Sequence, residues 1–84
     1  MILFSENIKQ FEGQAVKVHI NNIVYGSQVL NTKNFQPFYD DSRIGFLVGK
    51  QEIYVCCDEV QNIETGENVY IINGDMQNIV IERV

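Results

Sequence analysis

Val16-Lys17-Val18-His19-Ile20 alternates apolar and polar residues without a break. Successive strand side chains point to opposite faces, so the run reads as a half-buried strand. Val16, Val18 and Ile20 face a core, while Lys17 and His19 face water. Downstream, Asn21-Asn22 reads as a tight turn, because Asn tolerates positive φ. A second strand follows over residues 23–30, and Gly26 within it marks a bend or a close backbone approach.

The same reading extends outward in both directions. Upstream, Phe4, Ile8 and Phe11 lie at i, i+4 and i+7 and share one helical face. Ser5 suits the N-cap, Glu6 the first turn and Gly13 the stop. Residues 31–40 break the periodicity and hold the only proline, Pro37, so they read as a loop carrying Phe35, Phe38 and Tyr39. Strands follow at 44–48, turned at Gly49-Lys50, then at 52–57 and 60–64. Residues 65–68 connect to two more, at 69–72 and 79–84. These are joined through Asn73-Gly74-Asp75, a strong hairpin signal. Short strands at roughly ten-residue spacing indicate an all-β fold, a barrel or a sandwich. The expected core is Val16, Val18, Ile20, Val29, Phe46, Val48, Val55, Val60 and Ile63.

Composition bounds the function. The chain has 84 residues, enough for one domain over 1–84 and too few for two. At 45% apolar and 20% charged it is too apolar for disorder. No apolar run approaches the roughly 20 residues that span a bilayer, so no membrane role is expected. Met1-Ile2-Leu3-Phe4 has no basic flank and predicts no signal peptide, hence a cytoplasmic chain. Six Lys and Arg stand against eleven Asp and Glu, a net charge of -5, and the cations are scattered singly. Phosphate contacts want clustered cations, so DNA is not expected as a partner.

Chemistry-bearing motifs are sparse. One His and two adjacent Cys supply at most three ligands of a closed zinc site, which needs four, so no metal is expected. There is no Gly-rich phosphate loop and no nucleophile motif. The acidic pairs Asp40-Asp41 and Asp58-Glu59 read as solvated turns. No catalytic residue and no cofactor is assigned, and the chain is expected not to be an enzyme. Cys56 and Cys57 are expected as reduced thiols on opposite faces of one strand, one buried and one turned outward.

The stretch Val55-Cys56-Cys57-Asp58-Glu59-Val60-Gln61-Asn62-Ile63 resembles the second motif of Sm-like proteins. That motif reads Ile-Arg-Gly followed by apolar residues three and six positions after the Gly. Val55, Val60 and Ile63 keep the spacing, while Cys56 and Cys57 replace the Arg-Gly pair. Phe11 and Gly13 before Val16-x-Val18-x-Ile20 resemble the family's Gly-x-x-Val-x-Val-x-Leu, and Val24-x-Gly26 its apolar-x-Gly. Asp41-x-x-Ile44-Gly45-Phe46-x-Val48 resembles its Asp-x-x-Met-Asn-apolar-x-Leu. The resemblance covers residues 3–64. It implies a small Sm-like or SH3-like barrel of five strands with a short N-terminal helix. The core would span 1–66, and a C-terminal hairpin over 67–84 would be added to it.

What the resemblance implies about function is altered at its motif positions. The family's RNA pocket uses the motif Asn and the Arg-Gly region. Here these are Gly45, Cys56 and Cys57, and only Asp41 is kept. Gly has no amide and Cys is a weak donor, so the uridine pocket looks dismantled. The expected role is a non-enzymatic binding or scaffolding module, acting through a protein partner or its own copies. Family members commonly form rings by edge pairing, and an added hairpin either covers an open edge or pairs with another chain. Two alternatives stay open. One is RNA binding through an altered pocket, with Phe35, Phe38 and Tyr39 as a partner or base-stacking surface. The other is a small acidic inhibitor or decoy of the kind mobile elements encode.

Overall fold

The alternation that opens the reading becomes a burial pattern. In β1 (Val16–Asn22), Val16, Val18 and Ile20 are buried and Lys17 and Asn21 are exposed. The computed structural model describes residues 6–84. The expected helix positions Phe4 and Ser5 lie outside them. The remaining strands are β2 (Gly26–Thr32), β3 (Gln36–Tyr39), β4 (Arg43–Val48), β5 (Gln51–Cys56), β6 (Val60–Thr65), β7 (Val69–Gly74) and β8 (Gln77–Arg83). Short 3-10 helices span Glu6–Phe11 and Cys57–Glu59.

In place of one closed five-stranded barrel, the chain forms two antiparallel sheets. One has the order β2-β1-β8-β7-β6 and the other β3-β4-β5. Two features of the sequence reading change accordingly. Residues 36–39, expected within a loop, are a strand paired to β4. Pro37 is compatible with this because β3 is an edge strand, where a missing N–H breaks no ladder. The C-terminal hairpin is no appendage either. β8 pairs with β1, and β7 pairs with both β8 and β6, so the hairpin fills the middle of the larger sheet.

The register explains the core. Opposed residues of antiparallel strands share a face, so Ile20, Ile79, Ile72 and Ile63 form one inward row. Val18, Ile81 and Tyr70 form the next. Ile44, Phe46 and Val55 face them from the smaller sheet, and all are buried. Each fully buried side chain of this size contributes about 1.5–3 kcal/mol. Phe11 meets Tyr70 edge-on, with ring centroids 6.4 Å apart. Arg83 lies over Phe11 and donates to the carbonyls of Glu67 and Gln10, tying β8 to the first helix.

Local differences have local causes. The N-terminal helix is 3-10 rather than α, a form in which residues three apart share a face, and Ile8 and Phe11 are both buried. The first turn falls later than Asn21-Asn22. Asn22 pairs with Gly26, and residues 23–25 form the loop. Val29 is 50% exposed, because the pairing of Val18 with Leu30 turns Leu30 inward and Val29 outward. Val48, the last residue before the Gly49 turn, is 38% exposed. Ile63 is half-buried and packs against the core. Cys57 is not a strand residue. It opens the second 3-10 helix, and both cysteines are half-buried free thiols rather than one buried and one exposed.

Candidate functional site

Three neighbouring apolar residues at the β1–β2 turn face water: Ile23 (76% exposed), Val24 (62%) and Tyr25 (89%). Apolar triads of this kind ordinarily continue a strand. Here Asn22 ends it, because its Oδ1 accepts from the backbone N–H of Val24 (2.8 Å) and of Tyr25 (3.0 Å). Gly26, at φ +88°, then returns the chain in a region that side-chain-bearing residues rarely adopt. The tip is also tied to its neighbour, since Ile23 N–H donates to the Met76 carbonyl at 3.0 Å. Exposed Met76 sits on the β7–β8 turn, so both turns share one end of the molecule.

At this end the inward faces change from apolar to amide. Asn22 is opposite Gln77, and its Nδ2 donates to Gln77 Oε1 at 2.9 Å. Gln28 is opposite Ile20, on the core side of β2. Gln51 holds the corresponding inward position at the start of β5, two residues before Ile53. These four amides surround a cleft of about 290 Å³ floored by Ile20 and Ile53, with Tyr25 at its rim. The outward face of the same sheet carries a polar row in register, the Ser27 hydroxyl followed by the amides of Asn21, Asn78, Asn73 and Asn62. Ser27 Oγ donates to Asn21 Oδ1 at 2.8 Å, and Asn73 Nδ2 donates to Asn62 Oδ1.

The sheet edges differ in how they are guarded. An unpaired edge invites pairing with another chain unless a proline, a charge or a bulge blocks it. β3 carries Pro37 and β5 carries Glu52. β6 carries Glu64 and an irregularity between Val60 and Asn62. β2, Gly-Ser-Gln-Val-Leu-Asn-Thr, has none of these, and five of its seven residues are exposed.

The aromatic and motif positions singled out in the sequence do not form one surface. Phe35 is 1% exposed and stacks on Phe46 at 5.4 Å, inside the core. Tyr39 packs against the core from β3, with Lys9 Nζ 5.3 Å from its ring centre. Phe38 alone lies on the outward face of the smaller sheet, in a row with Gly45 and Tyr54. Arg43, which the sequence reading passed over as one of the scattered cations, sits 5.2 Å from the Phe38 ring and 5.1 Å from that of Tyr54. Its guanidinium is also ion-paired to Glu52 (3.3 Å) and Asp40 (3.7 Å).

Gly45 is there for space. A Cβ at that position would stand 2.0 Å from the Ile53 carbonyl oxygen and 2.6 Å from Tyr54 Cα. No Asn side chain could be added without moving β5. Asp41 is exposed, and the turn is built by its neighbour. Asp40 Oδ1 accepts from the N–H groups of Ser42 and Arg43, both at 2.8 Å, and these bonds hold its carboxyl below the usual range. Cys57 N–H donates to the Ser42 carbonyl, and burial pushes its thiol up. Cys56 lies opposite Arg43 on β4.

The amide end was the signal that sequence reasoning missed. It was present as Asn22, Gln28, Gln51 and Gln77, polar residues at positions where strand alternation would place apolar ones. Among the described residues no group of three or more His, Cys, Asp or Glu gathers to hold a metal ion, and no helix is long and apolar enough to cross a membrane. No protein-family model matches the chain, and no curated protein or solved structure matches it.

Proposed function

We propose that this chain is a non-catalytic binding module that joins protein chains by strand addition at β2, with a second copy of itself as the partner. The observation that carries this reading is the unguarded edge. Among the described residues, β2 alone of the four edge strands has no proline, charge or bulge. Seven residues is a full strand length, and main-chain hydrogen bonds along such an edge supply affinity without a deep pocket.

Self-pairing suits this strand. Antiparallel pairing centred on Val29 sets the two Val29 side chains against each other. They would extend an outward row of Val29, His19, Val80 and Ile71, in which His19 is the one polar member. Gln28 of each copy falls opposite Leu30 of the other, and Ser27 opposite Asn31. Lys33 falls opposite Tyr25, within reach of a cation–π contact. Because β2 holds no ionised side chain, two copies of net charge -5 meet without like charges at the joint. RNA is the weaker reading. Phe35 is a core residue, and Lys9 and Arg43, the cations beside Tyr39 and Phe38, are already engaged on those rings.

Light scattering across a concentration series tests the reading. The wild-type chain should give a dimer and Val29→Lys a monomer with an unchanged circular dichroism spectrum. A wild-type monomer at the highest concentration would rule out the second copy as partner.

A further inference from the structure

We propose that the amide-lined cleft between the starts of β2 and β5 is a binding site for a neutral polyhydroxylated ring, a single sugar residue. The first argument is positional. Asn22 and Gln77, half-buried, and Gln28 and Gln51, exposed, continue the inward-facing series of their strands beyond the apolar core. All four amides line one cleft.

The second argument is chemical. Asn22 is mostly committed: its Oδ1 takes two backbone N–H groups and one N–H of its Nδ2 donates to Gln77 Oε1. That contact fixes the Gln77 amide and leaves its Nε2 as a donor. The Gln28 and Gln51 amides make no side-chain hydrogen bond to another described residue, so each offers two donors and one acceptor. Sugar hydroxyls donate and accept equally and match groups of this kind. The apolar floor of Ile20 and Ile53 suits the C–H face of a ring, and the exposed Tyr25 at the rim offers an aromatic face.

The third argument is charge. Among the described residues no Lys, Arg or His lines the cleft, which disfavours a phosphate or a carboxylate. Its one ionised group, Glu52, is paired to Arg43. At about 290 Å³ the cleft lies at the small end of ligand pockets, enough for one ring and too little for a large cofactor. The inference does not rest on pairing at β2, since Val29 faces away from the cleft and is not among its lining residues.

The test is a titration of the isotope-labelled chain, followed through the side-chain NH₂ signals in two-dimensional NMR. The probes are glucose, galactose and N-acetylglucosamine, with inorganic phosphate as the anionic control. At least one sugar should move the Gln28, Gln51 and Gln77 signals saturably, with Kd on the order of millimolar. Gln28→Leu and Gln51→Leu, both at exposed positions, should each weaken binding by about tenfold. A melting curve for each variant establishes that it is folded. Val29→Lys should bind as the wild type does, which separates this site from the β2 edge. The proposal is overturned if none of the three sugars gives a saturable shift, if the Leu variants bind undiminished, or if phosphate moves the same signals.

Discussion

The two hairpins that supply four strands of the larger sheet, β7–β8 and β1–β2, look alike in sequence and end very differently. In β7–β8 both strands bury their inward residues completely: Tyr70, Ile72, Ile79 and Ile81 are each 0% exposed. In β1–β2 only the first strand does so. Val16 and Val18 are 0% exposed, whereas β2 turns one apolar residue, Leu30, inward and leaves Val29 half in water. The cause is neighbours. β7 and β8 each have a strand on both sides, and β2 has one. β2 thus contributes little to the core, yet keeps its full length and an unguarded edge, the feature on which the proposed strand addition rests.

The most forceful way to break that comparison is truncation of the two inward surfaces. Ile72→Ala or Ile79→Ala should cost about 2–5 kcal/mol of unfolding free energy in urea titrations, a large share of what a small domain has. Val29→Ala should stay within about 0.5 kcal/mol. Equal losses would mean that β2 supports the core as much as the central hairpin does.

Two glycines sharpen the contrast between a crowded and an open position. Gly45→Ala forces a methyl against the β5 backbone and should cost about 1–3 kcal/mol or more. Gly26→Ala meets nothing within 4 Å, so only its positive φ is penalised, by about 1–2 kcal/mol. Thermal melts of the two variants give the order directly, and the reverse order would remove close approach as the reason for Gly45.

A smaller effect on stability accompanies a large one on association. Val29→Lys should leave the urea midpoint nearly unchanged while shifting the proposed dimer to monomer in sedimentation velocity. Should it unfold the chain instead, the claim that β2 is spare to the core fails.

The least effect belongs to Asp40, on the smaller sheet. Its carboxyl titrates below the ordinary 3.8 because the Ser42 and Arg43 N–H groups bond its ionised form. Its contribution is therefore present above the unfolded-state pKa and lost as pH falls through the folded-state one. Asp40→Asn should flatten the acid limb of the stability curve below about pH 4 and change little at neutral pH. An unchanged acid limb would show that the turn does not depend on the carboxylate.

Much of the strand inventory was legible because face alternation is a local property. Val16, Val18 and Ile20 declared β1, and the Asn73-Gly74-Asp75 signal declared the β7–β8 hairpin, although Asn73 and Gly74 end β7 and the turn falls at Asp75 and Met76. The β1–β2 turn was misplaced because Ile23-Val24-Tyr25 has strand composition, and only the Asn22 side chain bonding two N–H groups ends the strand there. Residues 36–39 were hidden by Pro37, which an edge position tolerates. The site was harder still. Phe35, Phe38 and Tyr39 are close in sequence, but a strand sends neighbours to opposite faces, and one of the three precedes it altogether.

Local patterning along the chain makes it all-β, places most of the strands, and tells which residues of β1, β7 and β8 turn inward. These follow from periodicity and turn chemistry within a few residues. Only the tertiary structure decided which strands are central, which edges stay unpaired, and that four amides from β1, β2, β5 and β8 share one cleft. Those outcomes depend on pairings between residues as far as 67 positions apart, as with Val16 and Arg83. A residue's own neighbours in the chain carry no record of which distant strand will lie beside it.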